Sequence, residues 1–353
     1  MASMKNVRIG ELAVGAGRPA ALVAEIGINH NGDMVLAKRM IEAAARAGAT
    51  SVKFQNYRTT DFIADRTSTY RYVSNGSTIV ESQYEMFKRC ELAGDDLADL
   101  KRACDRAGVI FHSTPTNSDG VAELVKIGAQ VMKNGSDYLT NLDLIASMGQ
   151  TGLPTVLSTG MATVAEIDDA VRAFRTTGND AVILLHCTSS YPAQARDLHL
   201  QKIGALAATF DCPVGFSDHS EGVTAAIAAV TLGACWIEKH FTIDRTLPGP
   251  DQHFSSDEAE FTALVRAVRF VETALIDAPV GATDREAASR AEFRLSCQSA
   301  RPLPAGHLLA PGDVLFRRPG TGLPPKMATV LIGRRLVRDV PENHVLSWED
   351  VSA

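Results

Sequence analysis

Several features that would place the chain in a common class are missing from the sequence. Its 353 residues contain no run approaching the ~18 uninterrupted apolar residues that a membrane helix needs. The opening segment, MASMKNVRIGELAVG, has no long apolar core and does not resemble a signal peptide. The formal net charge of −6 and the pI of about 5.9 argue against a nucleic-acid-binding protein, which usually carries a basic face. We therefore expect neither a membrane nor a nucleic acid as a partner.

Cysteine pairs and nucleotide-binding loops are also missing. The sequence has no Cys-x-x-Cys pair, no Walker loop and no Gly-x-Gly-x-x-Gly, so a nucleotide is not the obvious ligand. Scattered cysteines of this kind are typical of reduced, mostly structural thiols, and we expect a cytoplasmic location. The six cysteines are Cys90, Cys104, Cys187, Cys212, Cys235 and Cys297.

Alternating strand and helix patterns fill most of the chain. From about residue 20, short β-branched or apolar runs such as AVILLHCTS alternate with Ala-rich amphipathic stretches such as TVAEIDDAVRAFRTTG. Eight such units in about 260 residues predict an α/β fold, a (β/α)8 TIM barrel. A doubly wound open sheet is the alternative. The polar, Tyr/Ser/Thr-rich connection after SVKFQ is longer than the others, and long loops of barrels often cover the active site.

The composition changes after Ala278, where proline and glycine become dense. We predict a barrel domain over 1–280, a polar linker over 281–292 and a small β-rich domain over 293–353. Two segments of the last part, LPAGHLLAPGDV and VPENHVLSWEDV, indicate a weak internal duplication of one turn-and-helix unit. So small a domain is below the ~70–80 residues at which a core alone is comfortably stable, so docking against another surface would help it.

Histidines end two strands that are neighbours in the predicted barrel. In CWIEKHFT, Glu238 and His240 share one strand face and Lys239 lies on the other, while in VGFSDHS His219 lies opposite Asp218. The two imidazoles are therefore expected to meet at the barrel mouth, where the active sites of such barrels lie. With a carboxylate or water they suit a divalent metal, most readily Mn²⁺, with Mg²⁺ or Co²⁺ as alternatives. The competing interpretation is two ordinary histidines near helix starts.

Lysines in two other strands indicate an anion site. Lys53 and Lys133 lie in otherwise buried strands, where an ammonium is costly unless it pairs with an anion. The alternative is that each faces the helix layer and extends to solvent. Glu25 also faces the barrel interior, on the same face as Gly27 and Asn29, and a structural turn does not explain it. Hydroxyl groups that could complete a phosphate or carboxylate site belong to Thr114, Ser136, Ser158 and Ser217.

Cys187 next to His186 suggests a nucleophile, but adjacent residues of a strand point to opposite faces. We therefore expect Cys187 to be a packed cysteine.

Motifs along the whole chain resemble one enzyme family. AEIGINHNGD, VKFQ, STP, LSTGMAT, LLHCTSSYP, GFSDHS and IEKHFTIDRTLPGPD, in this order, are similar to the sialic acid (nonulosonate) synthases of the N-acetylneuraminate synthase type. The C-terminal FRRPGTGLPP resembles the antifreeze-like (SAF) domain that these enzymes carry. A single motif would be weak evidence, whereas seven in the right order are strong.

The resemblance implies a C–C bond-forming transferase. Members condense phosphoenolpyruvate (PEP) with an N-acylated mannosamine or a related hexose, giving a nine-carbon 2-keto acid and inorganic phosphate. It also implies a domain-swapped homodimer, in which the SAF domain of one subunit serves the barrel of the other. Such a dimer would explain how the small domain is stabilised.

The resemblance also assigns roles to individual residues. His219 and His240 match the metal ligands, and Glu25 matches the active-site glutamate. Residues matching the PEP contacts are Lys53, Thr114, Lys133, Ser136, Ser158 and Ser217. Residues matching the sugar contacts are Gln55, Tyr191, Asp251 and, from the partner's SAF domain, Arg318.

Two positions depart from the pattern of neuraminate enzymes. Tyr138 stands where that pattern has a sugar-binding acid, and Ser189 stands where it has a PEP-contacting asparagine. A hydroxyl at 189 can still donate to phosphate, so we keep Ser189 among the substrate contacts. The sugar therefore stays open: INHNG and LLHCTS favour the neuraminate and legionaminate branches over the pseudaminate branch. Rival functions are a Schiff-base aldolase using Lys133 or Lys53, and a non-catalytic sugar-binding or ice-binding protein, against which the in-facing lysines and histidines argue.

Overall fold

The computed structural model describes residues 6–352 except 75 and 93, and the chain divides into two compact units between residues 276 and 277. The strands are β1 (Val7–Ile9), β2 (Leu12–Val14), β3 (Ala21–Gly27), β4 (Ser51–Asn56), β5 (Thr69–Ser74), β6 (Ser77–Ser82), β7 (Ile110–Pro115), β8 (Met132–Asn134), β9 (Thr155–Ser158), β10 (Val182–Cys187), β11 (Val214–Asp218), β12 (Trp236–His240), β13 (Ser296–Ser299) and β14 (Val314–Arg317). The helices are α1 (Met34–Arg46), α2 (Thr59–Phe62), α3 (Gln83–Arg89), α4 (Gly94–Ala107), α5 (Ser118–Lys126), α6 (Leu142–Gln150), α7 (Val164–Arg175), α8 (Ala195–Leu198), α9 (Lys202–Phe210), α10 (Thr224–Thr231), α11 (Glu258–Ala274), α12 (Asp284–Phe293) and α13 (Ala328–Leu331). Within the described ranges, no helix combines the length and apolar character of a membrane span.

The first unit is a nearly closed parallel barrel. Among the described residues, eight parallel strands follow the order β7-β4-β3-β12-β11-β10-β9-β8, and β7 and β8 at the two ends lie side by side. The predicted barrel is therefore confirmed, and the open sheet is excluded. The strand β12, which carries the Glu-Lys-His motif, lies between β11 and β3.

A short antiparallel hairpin, β1–β2, covers the floor of the barrel. Its apolar side chains Val7, Ile9 and Val14 pack in one buried cluster with residues near the N-terminal ends of the barrel strands, including Val23 and Trp236. Because the active end of such a barrel is the C-terminal end, the hairpin leaves the functional face free.

Many of the helices that surround the strands begin at a capping side chain, and their apolar sides face the barrel. The side chain of Asp33 accepts hydrogen bonds from the backbone of Val35 and Leu36 at the start of α1. Thr163 and Glu166 form a capping box at the start of α7. The buried face of each helix packs against outward side chains of the strands, and this layer forms the main hydrophobic core.

The long connection after β4 is structured rather than an irregular loop. It contains α2, the antiparallel pair β5–β6, and α3. Aromatic and apolar residues of this segment form a small core with Ile28: Tyr57 and Met86 are buried, and Phe62 and Phe87 pack against them.

The second unit differs in one way from its sequence-based prediction. The stretch 281–292, predicted as a linker, contains most of α12, whose start is capped by Thr283 and Glu286. None of the residues of α12 is buried, which explains why its composition is polar throughout. The predicted small domain contains the short pair β13–β14 within its described residues, together with isolated bridges and 3₁₀ turns.

The duplication predicted in this unit is visible as a repeated buried carboxylate. Asp313 is bonded by His307, six positions earlier, and by Arg301, twelve positions earlier. The same spacing recurs at Asp350, where Arg338 donates at 2.7 Å and His344 Nε2 lies 3.1 Å from the carboxylate. Each aspartate closes a 3₁₀ turn rather than the expected helix.

The two copies of the repeat pair with each other. Leu303 and Val340 donate backbone hydrogen bonds to each other's carbonyls, both at 2.9 Å. These two reciprocal hydrogen bonds relate the two copies by an approximate twofold axis. The two copies enclose a shared apolar core.

Candidate active site

One cavity of about 660 Å³ opens at the C-terminal ends of the barrel strands. Every barrel residue that the sequence assigned to the site lines it: Glu25, Lys53, Gln55, Thr114, Lys133, Ser136, Ser158, Ser189, Tyr191, Ser217, His219, His240 and Asp251. Arg318 belongs to the second unit, where its exposed guanidinium lies over the ring of Phe293, 5.0 Å from the centroid.

Four buried charges of alternating sign form the deepest part of the cavity wall. Lys53 Nζ lies 2.8 Å from Glu25 Oε1 and 3.6 Å from Glu238 Oε1, and Lys133 Nζ lies 3.6 Å from the same Glu238 oxygen. The second oxygens of Glu25 and Glu238 find no hydrogen-bond partner within the described part of the chain. We call these four residues the inner charge cluster. The two lysines are its cations, and two of its carboxylate oxygens remain available.

Burial controls protonation in the inner charge cluster. Burial raises the pKa of Glu25 to about 7, opposed by the nearby charge of Lys53. Burial also acts to raise the pKa of Glu238, but Lys133 and Lys53 outweigh it and the pKa is lowered. Glu25 is therefore the carboxyl group that more readily gains or loses a proton near neutral pH.

Hydroxyl groups and a close glycine continue the cavity wall beside Lys133. Ser136 Oγ donates to Ser158 Oγ at 2.8 Å, and the backbone nitrogen of Gly160 donates to Ser136 Oγ at 3.2 Å. A Cβ on Gly160 would lie 2.4 Å from Ser189 Oγ and 2.7 Å from Ser136 Oγ, so any larger residue would displace these hydroxyls. Across the cavity, Lys53 Nζ donates to Thr114 Oγ1 at 3.3 Å. Hydroxyl, amide and ammonium donors thus converge where an anion would lie.

The two histidines meet at the mouth as the strand parity predicts. Their ring centroids are 5.6 Å apart, and Tyr191 packs on His219 with centroids 4.1 Å apart. His219 Nδ1 is 2.9 Å from the carbonyl oxygen of Thr188, which can only accept. In the neutral imidazole, His219 Nδ1 therefore carries the proton, and Nε2, which lies 3.4 Å from Ser217 Oγ, carries the lone pair.

The histidine pair fits a divalent metal. His240 Nδ1 is buried and has no hydrogen-bond partner among the described residues; the nearest carboxylate oxygen, of Asp251, is 3.8 Å away. A ligating imidazole with its other nitrogen bonded to a carbonyl, as in His219, is the usual arrangement at a metal. Across the described residues, no group of three or more histidine, cysteine or carboxylate side chains has metal-holding geometry. The chain therefore offers two imidazoles, leaving further positions to water or substrate oxygens.

Two sequence-based expectations need correction or refinement. Asn29 does not share the face of Glu25, because the strand is irregular between Glu25 and Gly27; its amide donates to the Phe241 carbonyl and to Ser255 instead. Cys187 is buried as expected but lies in the cavity wall. Its neighbour His186 points to the opposite side and bonds the carbonyl of Leu198, so the two do not form a nucleophile and base.

Other lining residues were not predicted as site residues. Glu238 was seen only as a neighbour of the histidines, and its place between two lysines depends on strands far apart in sequence. An apolar wall comes from the long connection and its neighbours: Ile28, Tyr57, Phe62, Tyr70, Met86, Phe87 and Tyr138. No short motif marks this wall, because it forms only when the connection folds over the barrel.

Comparisons with known proteins agree with this geometry. Residues 40–279 match the NeuB family and residues 298–352 match the SAF domain. The chain is 36% identical over 348 residues to an uncharacterized protein of Methanocaldococcus jannaschii, covering 99% of each chain. It is 36% identical over 343 residues to the N,N'-diacetyllegionaminic acid synthase of Legionella pneumophila, covering 96% of each. The crystal structure of an N-acetylneuraminic acid synthetase from Leptospira borgpetersenii, in complex with citrate, aligns with a TM-score of 0.72 and 31% identity, covering 81% of this chain and 95% of that one.

Proposed function

Because the chain belongs to the NeuB family, we propose that it condenses PEP with an N-acylated mannosamine-type hexose, giving a nonulosonic acid and inorganic phosphate. The observation that carries this proposal is the meeting, in one cavity, of the inner charge cluster, the hydroxyl donors and the histidine pair. An anion and an oxygen-rich sugar are the ligands that such a set of groups suits.

The cations and hydroxyls hold PEP in this proposal. Lys53 and Lys133 face its phosphate and carboxylate, and Thr114, Ser136 and Ser158 donate to its oxygens, with Ser189 and Ser217 beside them. Held in this way, the enol phosphate presents its C3 to the sugar aldehyde, which converts an encounter in solution into a positioned reaction.

Residues at the mouth hold the sugar. Gln55, Tyr191 and Asp251 line the cavity and present polar atoms to sugar hydroxyls. Tyr191 and Asp251 lie beside the histidine pair, and Gln55 donates to Glu25 Oε1 at 3.3 Å. A divalent ion held by His219 and His240, most suitably Mn²⁺ with Mg²⁺ or Co²⁺ as alternatives, would supply Lewis acidity toward the aldehyde oxygen.

Glu25 manages protons in the proposed reaction. The electron pair of the enol double bond forms the new bond from C3 to the aldehyde carbon, and cationic character develops at C2. The aldehyde oxygen gains a proton, and the water that adds at C2 loses one. Glu25, with a pKa raised to about 7 by burial, exchanges one of these protons. Collapse of the tetrahedral intermediate breaks the bond between C2 and the phosphate oxygen, releasing phosphate and the keto acid.

A second candidate acceptor is a 6-deoxy diacetamido hexose, the precursor type of legionaminate. Tyr138 replaces an acid and lies in the apolar wall with Phe62 and Phe87, whose rings pack edge to face 5.1 Å apart. Such a wall favours a methyl group over a hydroxyl group. The similarity to the Legionella synthase supports the same choice.

The decisive experiment is phosphate release from PEP and Mn²⁺ over a panel of hexosamines. We expect release with N-acetylmannosamine or with its 6-deoxy diacetamido counterpart, and a keto acid product of nine carbons by mass spectrometry. If no hexosamine of the panel consumes PEP, the proposal is wrong. If borohydride with the keto acid product traps an imine on Lys53 or Lys133, the Schiff-base aldolase is favoured instead.

We also propose a domain-swapped homodimer in which Arg318 of one subunit contacts the sugar bound by the other. The support is the chemistry of an exposed guanidinium, which suits oxygen-rich ligands, in the SAF domain of a NeuB family member. Arg318→Ala should raise the KM for the sugar and leave PEP affinity nearly unchanged. At a sugar concentration well below the KM of Arg318→Ala, co-refolded His240→Ala and Arg318→Ala chains should be more active than either variant alone; the absence of any such gain would contradict the cross-subunit role.

A further inference from the structure

A second buried ion pair lies on the outer face of the barrel, outside the proposed reaction. Lys239 Nζ is 3.0 Å from Asp218 Oδ2, and the two residues are 2% and 1% exposed. They are direct partners in the register of β11 and β12. Neither lines the cavity. We call them the outer pair.

The outer pair fixes the backbone on both sides of His219. Asp218 Oδ1 accepts from the backbone nitrogen of Ser220 at 2.9 Å and from its hydroxyl at 2.6 Å. The same Lys239 ammonium that binds Asp218 also donates to the carbonyl oxygen of Ser220 at 2.6 Å. His219 is the one residue between these two held neighbours, and its own carbonyl accepts from Ala193 at 2.9 Å.

Lys239 is also the immediate chain neighbour of His240, the second imidazole of the pair. It lies between Glu238 and His240, whose side chains point into the cavity while its own points outward. One ammonium group therefore ties the end of the strand carrying His240 to the turn carrying His219.

A pair of this kind is not needed for stability alone. Removing two charges from water is costly, and apolar residues of similar volume are often at least as stable. The geometry that the pair fixes is a more specific reason for its presence, since ligands of a metal must be held in a narrow range of separation and orientation.

We propose that the outer pair is a positioning element that sets the separation and orientation of the His219 and His240 imidazoles for a divalent cation. The inference rests on the proposed metal site and extends it to two residues that touch neither the metal nor the substrates. It assigns to Lys239, which points away from the reaction, a measurable effect on metal affinity.

The test replaces both charges at once, so that neither is left buried alone. In the full chain, Lys239→Met with Asp218→Leu should fold with a circular dichroism spectrum like that of the wild type. Mn²⁺ affinity, measured without substrates by electron paramagnetic resonance of the free ion, should fall by roughly 10- to 100-fold. PEP affinity measured by calorimetry should change much less than Mn²⁺ affinity, because Lys53 and Lys133, the cations proposed to hold PEP, lie on β4 and β8, and Ser217 alone of the proposed PEP contacts lies on β11.

A matched control and a second variant keep the test sharp. Arg46→Met with Glu258→Leu removes an ion pair between α1 and α11, and it should leave Mn²⁺ affinity unchanged. Lys239→Arg keeps the charge, but its planar guanidinium cannot place one nitrogen between Asp218 and Ser220 as the ammonium does. It should fold and bind Mn²⁺ at least about threefold more weakly.

The possible failures separate the two proposals. Wild-type Mn²⁺ affinity in the folded Lys239→Met/Asp218→Leu and Lys239→Arg variants overturns the positioning role and leaves the metal site standing. A wild type that binds no Mn²⁺, or that binds it equally well after His240→Ala, overturns the metal site and the positioning role with it.

Discussion

The inner charge cluster and the outer pair use the same chemistry on the two faces of one sheet, with opposite outcomes. Both join carboxylates and lysines of different buried strands. In the outer pair, both Asp218 oxygens accept hydrogen bonds, and the ammonium of Lys239 has two oxygen partners. In the inner cluster, Glu25 and Glu238 each keep one oxygen without a partner in the described residues, and two of the three ammonium–carboxylate contacts are as long as 3.6 Å.

This difference indicates a structural role for the outer pair and a ligand-binding role for the inner charge cluster. A fully satisfied buried pair fixes a geometry and has no remaining capacity for a ligand. A loosely bonded cluster that faces a 660 Å³ cavity can exchange its internal contacts for contacts with a bound anion. Loss of a member should therefore affect stability most in the outer pair, and binding most in the inner cluster.

The largest expected effect is on stability when the outer pair loses one charge. Lys239→Met should reduce the free energy of unfolding by about 3–5 kcal/mol, because Asp218 is left buried without its cation. Lys133→Met should cost distinctly less, because the cavity lets water reach Glu238. Urea denaturation followed by fluorescence checks both. Equal losses in the two variants would remove the distinction between the faces.

The second effect is on ligand affinity in the inner cluster. Lys53→Met and Lys133→Met should each weaken PEP binding by roughly 1.5–3 kcal/mol, which is the loss of a charge-assisted contact. Calorimetry with PEP measures this directly, and the Arg46→Met variant serves as a charge-matched control. PEP affinity at the wild-type level in both lysine variants would show that the cluster does not hold the anion.

A smaller effect is expected from crowding the hydroxyl side of the same site. Gly160→Ala forces Ser136 and Ser189 apart and should weaken PEP binding by about 1–2 kcal/mol, in the range of overpacking costs. Gly204→Ala is the matched control, since its Cβ would meet nothing within 4 Å. Unchanged affinity in Gly160→Ala would mean that the anion does not approach this glycine.

The smallest effect concerns the buried carboxylate of the second unit, which is fully bonded like the outer pair. Burial acts to raise the pKa of Asp350, but hydrogen bonds from the Ser347 backbone and Arg338 outweigh it, and the pKa is lowered. Its stabilisation is therefore present above the ordinary aspartate pKa of about 4 and is lost as pH falls through the lowered value.

Hydrogen exchange over residues 296–352 tests this prediction. Asp350→Asn should lose about 1 kcal/mol of protection at neutral pH and show a weaker dependence on acid than the wild type. The exposed Asp277→Asn change is the control. A wild type whose protection is equally insensitive to acid would contradict the role of Asp350.

Parity along strands explains how much of the site the sequence predicts. Alternation alone predicts that the side chains of Glu238 and His240 point inward and that of Lys239 points outward. It also predicts that His186 and Cys187 point to opposite faces. Alternation fails at Asn29, because the irregularity between Glu25 and Gly27 turns the chain. The partners of a charge cannot be found in this way either, since the contacts of Glu238 with two lysines and of Lys239 with Ser220 join segments distant in sequence.

The second unit shows the complementary limit. Its repeat is readable from two similar segments, because the buried aspartate of each requires the same histidine and arginine spacing. The helix α12 escapes prediction, because it buries none of its residues and so lacks the apolar stripe that marks a helix in sequence. The wall formed by Phe62 and Phe87 could not be predicted from the sequence for a different reason: its position depends on how the long connection folds over the barrel.

The hairpin over the floor of the barrel closes the active cavity at that end. Because β1–β2 packs across the N-terminal ends of the strands, we expect ligands to enter and leave the cavity through its mouth. The proposed PEP contacts, such as the buried Lys53, lie inward of sugar contacts such as the half-exposed Tyr191. In the proposed reaction, PEP is therefore expected to bind before the sugar, and phosphate is expected to leave after the larger keto acid. Inhibition by phosphate should accordingly be competitive toward PEP.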